Sequence, residues 1–117
     1  MATFNTPLSI DQGSTFSYVA TWTAGDPAVP VNLTGCTARA QFRSDITSSV
    51  VLCELTTANS RITLGGTAGT ITLSLSDTVT AAFDWTEGVY DLEIVYANST
   101  VKRLLQGTVT VSPEVTR

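Results

Sequence analysis

Apolar and polar residues alternate at a spacing of two through almost the whole chain, and that period belongs to a β-strand with one buried face. Thr15 to Trp22 sets Phe16, Tyr18, Ala20 and Trp22 against Thr15, Ser17, Val19 and Thr21. Cys36 to Arg43 puts Cys36, Ala38, Ala40 and Phe42 on one side and Thr37, Arg39, Gln41 and Arg43 on the other. Val51, Cys53 and Leu55 form the inward set of a short strand, Arg61 to Leu64 a brief one, and Ile71, Leu73 and Leu75 the inward set of another. Val89 to Tyr96 points Tyr90, Leu92, Ile94 and Tyr96 inward and Asp91 and Glu93 outward. Val101 to Val111 returns through a hairpin at Ala97 to Thr100, with a bulge expected at Gly107. Phe4 to Ile10 contains Pro7, which cannot donate to a ladder, so this run belongs at a sheet edge.

Between these runs lie turn formers such as Gln12-Gly13, Ala24-Gly25-Asp26-Pro27 and Gly65-Gly66. One stretch departs from the pattern. Ser76 can cap a helix, Asp77 suits its positive end, and Ala81-Ala82 favour it, so about two turns are expected near residues 76–83. Thr and Ser supply about a quarter of the residues, and β-branched Thr packs well on a pleated surface. At 117 residues the chain suits a single domain spanning 1–117, with 1–3 and 113–117 expected as extended tails. The class is all-β: an immunoglobulin-like sandwich of seven to eight antiparallel strands with one short helix. The immunoglobulin-like choice rests on Asp84 to Leu92, which resembles a tyrosine corner, with Tyr90 bonding back to nearby backbone and Leu92 inward. The cysteine pair and central tryptophan of antibody domains do not match.

The formal charge of −4 argues against a nucleic-acid binder, which needs a basic patch to displace counterions. No run approaches the roughly 20 apolar residues of a membrane helix. The N-terminal residues lack the pattern of a signal peptide, so the chain is expected to be made in a cytoplasm, with Cys36 and Cys53 as buried thiols. Neighbouring strands could alternatively bring the two thiols together as a disulfide.

Histidine is absent, and with it the commonest general base and metal ligand. Two cysteines cannot close a zinc site. Asp91 and Glu93 share a strand face about 7 Å apart, a spacing a glycosidase could use, yet they read as solvated surface, with Lys102 diagonal to Glu93. The expectation is a non-enzymatic domain without catalytic residues, cofactor, metal or small-molecule substrate.

Several segments together carry a resemblance. They are Asp11 to Phe16, Val31 to Arg43, Tyr90-Asp91-Leu92-Glu93, and the ending Gly107-Thr108-Val109 to Val115-Thr116-Arg117. This ordered pattern resembles small β-sandwich virion proteins of tailed bacteriophages, among them tail-fibre connector or collar proteins and the N-terminal domain of baseplate upper proteins. The resemblance covers most of the chain and includes no catalytic motif. It implies a structural component of the virion, tail-associated at the collar, fibre connector or baseplate periphery. Assembly in the bacterial host cytoplasm would be onto other virion proteins and copies of itself, with no nucleic-acid or membrane partner. A capsid decoration protein on the head is the alternative. A carbohydrate- or receptor-binding module is a further one, suggested by Trp22, Trp85, Tyr18 and Tyr96. Candidate assembly contacts are Phe4, Pro7 and Ile10 at the edge strand and Pro113, Val115 and Arg117 in the tail.

Overall fold

The computed structural model describes residues 4–25 and 27–116. Its strands are β1 (Phe4–Asn5), β2 (Leu8–Asp11), β3 (Phe16–Thr21), β4 (Thr23–Ala24), β5 (Val29–Pro30) and β6 (Thr37–Arg43), then β7 (Cys53–Thr56), β8 (Ile62–Leu64), β9 (Thr70–Leu75), β10 (Glu87–Val95) and β11 (Val101–Ser112). A larger sheet runs β1-β11-β10-β6-β7, with β2 also on β11, and a smaller one runs β3-β9-β8. β4 and β5 make a separate small hairpin. The architecture is an immunoglobulin-like β-sandwich: the alternation predicts the sandwich, and the pairings are antiparallel except where β1 and β2 join β11. With the Pro7-interrupted first strand taken as one and the small hairpin set aside, eight strands remain.

The core between the sheets holds the residues that the alternation assigns to it. Ile71, Leu73 and Leu75 of β9 are buried beneath Phe42, Leu92, Ile94 and Val109 of the larger sheet. Phe42 meets Tyr90 edge-on at 5.9 Å and Trp85 at 6.2 Å, the geometry favoured by ring quadrupoles. The helix α1 (Asp77–Ala81) is shorter than two turns, although Ser76 caps it as expected, its Oγ accepting from the Val79 amide at 3.3 Å. Buried Phe83 draws the chain inward directly after it.

Four local expectations are corrected. The first segment lies at a sheet edge, but it pairs with β11 in parallel: Phe4 faces Leu105 and Leu8 faces Val109. The β2–β3 connection crosses from the larger sheet to the smaller one, so β2 has no hairpin partner and lies at the edge of the larger sheet, on β11. The bulge in β11 falls at Leu104, because Leu92 faces Leu105 while Glu93 faces Arg103. That shift sets Arg103, and not Lys102, beside Glu93 and lets Leu104 and Leu105 both be buried. β7 starts at Cys53, leaving Val51 exposed. Lastly, Tyr90 does not close a tyrosine corner. Its hydroxyl donates to the Thr6 carbonyl at 2.6 Å, tying β10 to the break between β1 and β2. Gly107 lies against that break: a Cβ there would stand 2.7 Å from the Thr6 oxygen.

Candidate functional site

The outward residues of β6, β10 and β11 build a shallow basin of about 560 Å³ on the solvent face of the larger sheet. Register explains its chemistry. Asp91 lies between Gln41 and Gln106, and Glu93 between Arg39 and Arg103, so each carboxylate sits among donors on both neighbouring strands. Arg39 Nε lies 2.8 Å from Glu93 Oε1, and Arg103 Nε 3.5 Å from Asp91 Oδ2. Gln41 donates to Glu54 at 3.1 Å and accepts from Arg43 at 2.6 Å. Arg43 also donates to the Ser48 carbonyl at 2.8 Å, which anchors the loop after β6.

That loop carries an apolar projection at the basin's rim. Ile46 is 89% exposed and lines the basin. Asp45 accepts from the amide and hydroxyl of Thr47 at 2.9 and 2.6 Å, and these bonds hold its carboxyl below the ordinary carboxylate range. The turn so fixed leaves Ile46 pointing into water. Chemically the basin is a charge-compensated face with an exposed aliphatic edge. Such a surface binds by complementarity, and the Asp91 and Glu93 carboxylates act within it as partners of guanidinium groups.

The contact candidates in the sequence are scattered over the structure. Phe4 is half exposed on β1, and Pro7 is exposed at the strand break. Ile10 belongs to the core at 0% exposure and offers no surface to a neighbour; its alternation partners Ser9 and Asp11 face out instead. Pro113 is exposed and Val115 projects at 91% exposure, while Arg117 lies outside the described residues, as do 1–3. The tail does not leave the domain at Pro113, because the Glu114 amide donates to Gln12 Oε1 at 2.8 Å.

The aromatic residues do not form a ligand platform. Trp22 is buried, and Trp85 packs on Phe83 at 4.9 Å as well as on Phe42. Burial raises the Tyr96 hydroxyl's pKa, and Tyr18 is half-buried on the inward side of β3. Cys36 and Cys53 are both free thiols. Cys53 faces Phe42, six residues along β6 from Cys36, which separates them by roughly 20 Å of strand. Burial raises the Cys53 thiol's pKa, against the pull of nearby Arg61. Among the described residues, no group of three or more acidic, Cys or His side chains could hold a metal, and no helix is long and apolar enough to cross a membrane.

The sequence gives little sign that Ile46 is exposed or that β3 (Phe16–Thr21) lies at the edge of the smaller sheet. The available signals were one isoleucine in the polar run Ser44 to Ser49 and the lack of any charge from Thr15 to Trp22.

No protein-family model and no curated protein matches the chain. Solved structures do. One is a chain from a structure-based photo-crosslinking study of multimeric cell-adhesive interactions of VGSC beta subunits. The likeness covers 92% of each chain with a TM-score of 0.50 at 14% identity. Identity at this level establishes a shared immunoglobulin-like fold and nothing about activity.

Proposed function

We propose that this domain is a structural component of a tailed-bacteriophage virion, tail-associated at the collar, fibre connector or baseplate periphery, and that it works by protein–protein assembly. The observation that carries the reading is where the resembling segments fall. The Thr37–Arg43 part of Val31 to Arg43 is β6, which lies beside Tyr90 to Glu93 of β10, with Arg39 opposite Glu93 and Gln41 opposite Asp91. The outward residues Gln41, Arg43, Asp91 and Glu93 of these two segments line one continuous face, the basin bordered by Ile46. A face of paired charges beside an exposed aliphatic group suits a protein partner: the charges set orientation and the isoleucine supplies apolar area. Other virion proteins and copies of this chain are the partners that fit, and the virion is the location.

Labelling the protein in purified particles tests this. Label at the tail or its tip is the expected result. A uniformly labelled head shell would move the assignment to capsid decoration, and particles without label would remove the virion reading. A receptor- or carbohydrate-binding module draws on the basin's polar lining, although its only aromatic liner, Tyr90, is buried. A flat tryptophan-fluorescence response across a glycan panel would count against the sugar-binding form of it.

A further inference from the structure

Among the described residues four strand edges bound the two sheets, and three of them are blunted. The β1/β2 edge is interrupted by Pro7 and ends at Asp11; β7 has four residues with a glutamate in the middle; β8 has three and follows Arg61. Short length, proline and charge are the devices by which sheets avoid pairing with other chains. β3 has none of them. It is six residues long, regular in register against β9, and free of charge, proline and glycine.

Its outer edge is also unsatisfied. The Trp22 amide bonds to the Gly69 carbonyl at 2.8 Å, which sets the phase of the β3–β9 ladder: Phe16, Tyr18 and Ala20 exchange bonds with β9. The N–H and C=O groups of Ser17, Val19 and Thr21 therefore point away from the sheet. The small hairpin does not cover them, because Val31 bonds to Trp22 on the β9 side, against Gly69. The strand's inward residues are left partly open too. Phe16, Tyr18 and Ala20 are only half-buried, whereas their β9 neighbours are fully buried. A gap of about 390 Å³ opens between β2 and β3 alongside Phe16 and Tyr18.

We infer that this edge pairs with the same edge of a second copy, antiparallel about a twofold axis at Val19, joining the two smaller sheets into one. The sequence complements itself in that register. Val19 meets Val19, Ser17 meets Thr21, and on the inward side Tyr18 falls opposite Ala20, large against small. The three outward pairs exchange roughly six backbone hydrogen bonds. No charge meets its like, because the strand carries none, and this neutrality is what selects a second copy as occupant over a charged peptide. The tyrosines of the two copies enter the gap beside β2. This pairing supplies the self-association in the assembly reading and rests on that reading only for its biological setting.

Analytical ultracentrifugation of the full chain tests it, with Val19→Lys and Val19→Cys as probes. Val19 is 55% exposed, so lysine leaves the fold intact, which circular dichroism checks. The expected result is a dimer whose Kd rises at least tenfold in Val19→Lys, where two ammonium groups meet on the axis. Val19→Cys should cross-link on mild oxidation at least tenfold faster than Thr63→Cys on the exposed β8 edge or the wild type, since bonded antiparallel pairs lie within disulfide reach. A monomer up to about 1 mM overturns the inference, as does a dimer indifferent to Val19→Lys or equal cross-linking at both cysteines. These outcomes are independent of particle labelling, so the pairing and the virion assignment can fail separately.

Discussion

Replacing Tyr90 by phenylalanine removes one oxygen from a buried site and nothing from the core's shape. The lost bond is the 2.6 Å contact with the Thr6 carbonyl. A neutral hydrogen bond contributes about 1 kcal/mol net, and the carbonyl left behind costs more where water cannot reach it. Thr6 is half-buried, so part of that cost is recovered, giving a loss of about 1.5 kcal/mol and about 5 °C in Tm at pH 7. The same group makes the effect depend on pH. Burial, with a smaller contribution from Tyr18, pushes the folded-state pKa of the Tyr90 phenol well above its ordinary value near 10. A group whose pKa is raised on folding stabilises the fold fully below the unfolded value and loses that contribution as pH climbs toward the folded one. Above pH 10 the unfolded phenol ionises while the folded one stays protonated, so the wild type loses about 1.4 kcal/mol by pH 11. Tyr90→Phe has no such loss, and every other titrating group cancels between the two proteins. Urea unfolding from pH 7 to 11 should therefore show the wild-type advantage shrinking almost to zero. A gap that stays constant to pH 11 would mean that the phenol is not held protonated by burial, and the latch between β10 and the first strand would have to be abandoned.

Gly107→Ala should cost about 2 kcal/mol by chemical denaturation, because its methyl meets the Thr6 carbonyl at 2.7 Å and the first strand must move. Hydrogen exchange at the Thr6 amide, bonded to the Gln106 carbonyl at 2.7 Å, should accelerate in the same variant. Thr80→Val should lose about 1–3 kcal/mol. The buried hydroxyl donates to the Ser14 carbonyl at 2.8 Å and accepts from the Gly13 amide at 3.1 Å, joining the β2–β3 turn to the helix. Glu93→Gln, in contrast, should change stability by less than about 1 kcal/mol, since its ion pair with Arg39 lies on the solvent face of the sheet and is partly solvated.

The sandwich was legible because a period of two is local information, and each strand declares its inward face without its partners. Features that depend on which strands meet were not legible. Tyr90 reads as inward from its neighbours, but its hydroxyl's acceptor lies 84 residues away. Leu104 and Leu105 are both apolar, so the alternation cannot say which is the extra residue; only the pairing with Leu92 and Glu93 decides it. Parallel pairing of β1 and β2 leaves no mark on the side-chain pattern. Of the basin, the alternation supplies Arg39, Gln41, Asp91 and Glu93 as outward residues, whereas their convergence needs the β6–β10 register. Ile10 shows the same limit: an edge strand exposes its backbone, but every second side chain still faces the core.

The two proposed surfaces differ in kind, and the difference can be measured. Polar groups in the basin are already paired, Glu93 with Arg39 beside it, Gln41 with Glu54 and Arg43, so a partner there must exchange existing pairs for new ones. Such contacts govern encounter and orientation more than affinity, and salt weakens them. The β3 edge presents backbone groups bonded to nothing but solvent and flanked by neutral side chains, so pairing there gains hydrogen bonds without breaking ion pairs. Self-association through β3 should consequently change by less than about twofold between 0.05 and 0.5 M salt, because no charged side chain lies on the strand. Binding of the proposed protein partner at the basin should weaken by about tenfold over the same range, mainly through slower association. If self-association shows the steep salt dependence instead, charged groups hold the dimer, and the basin rather than the β3 edge is where two copies meet.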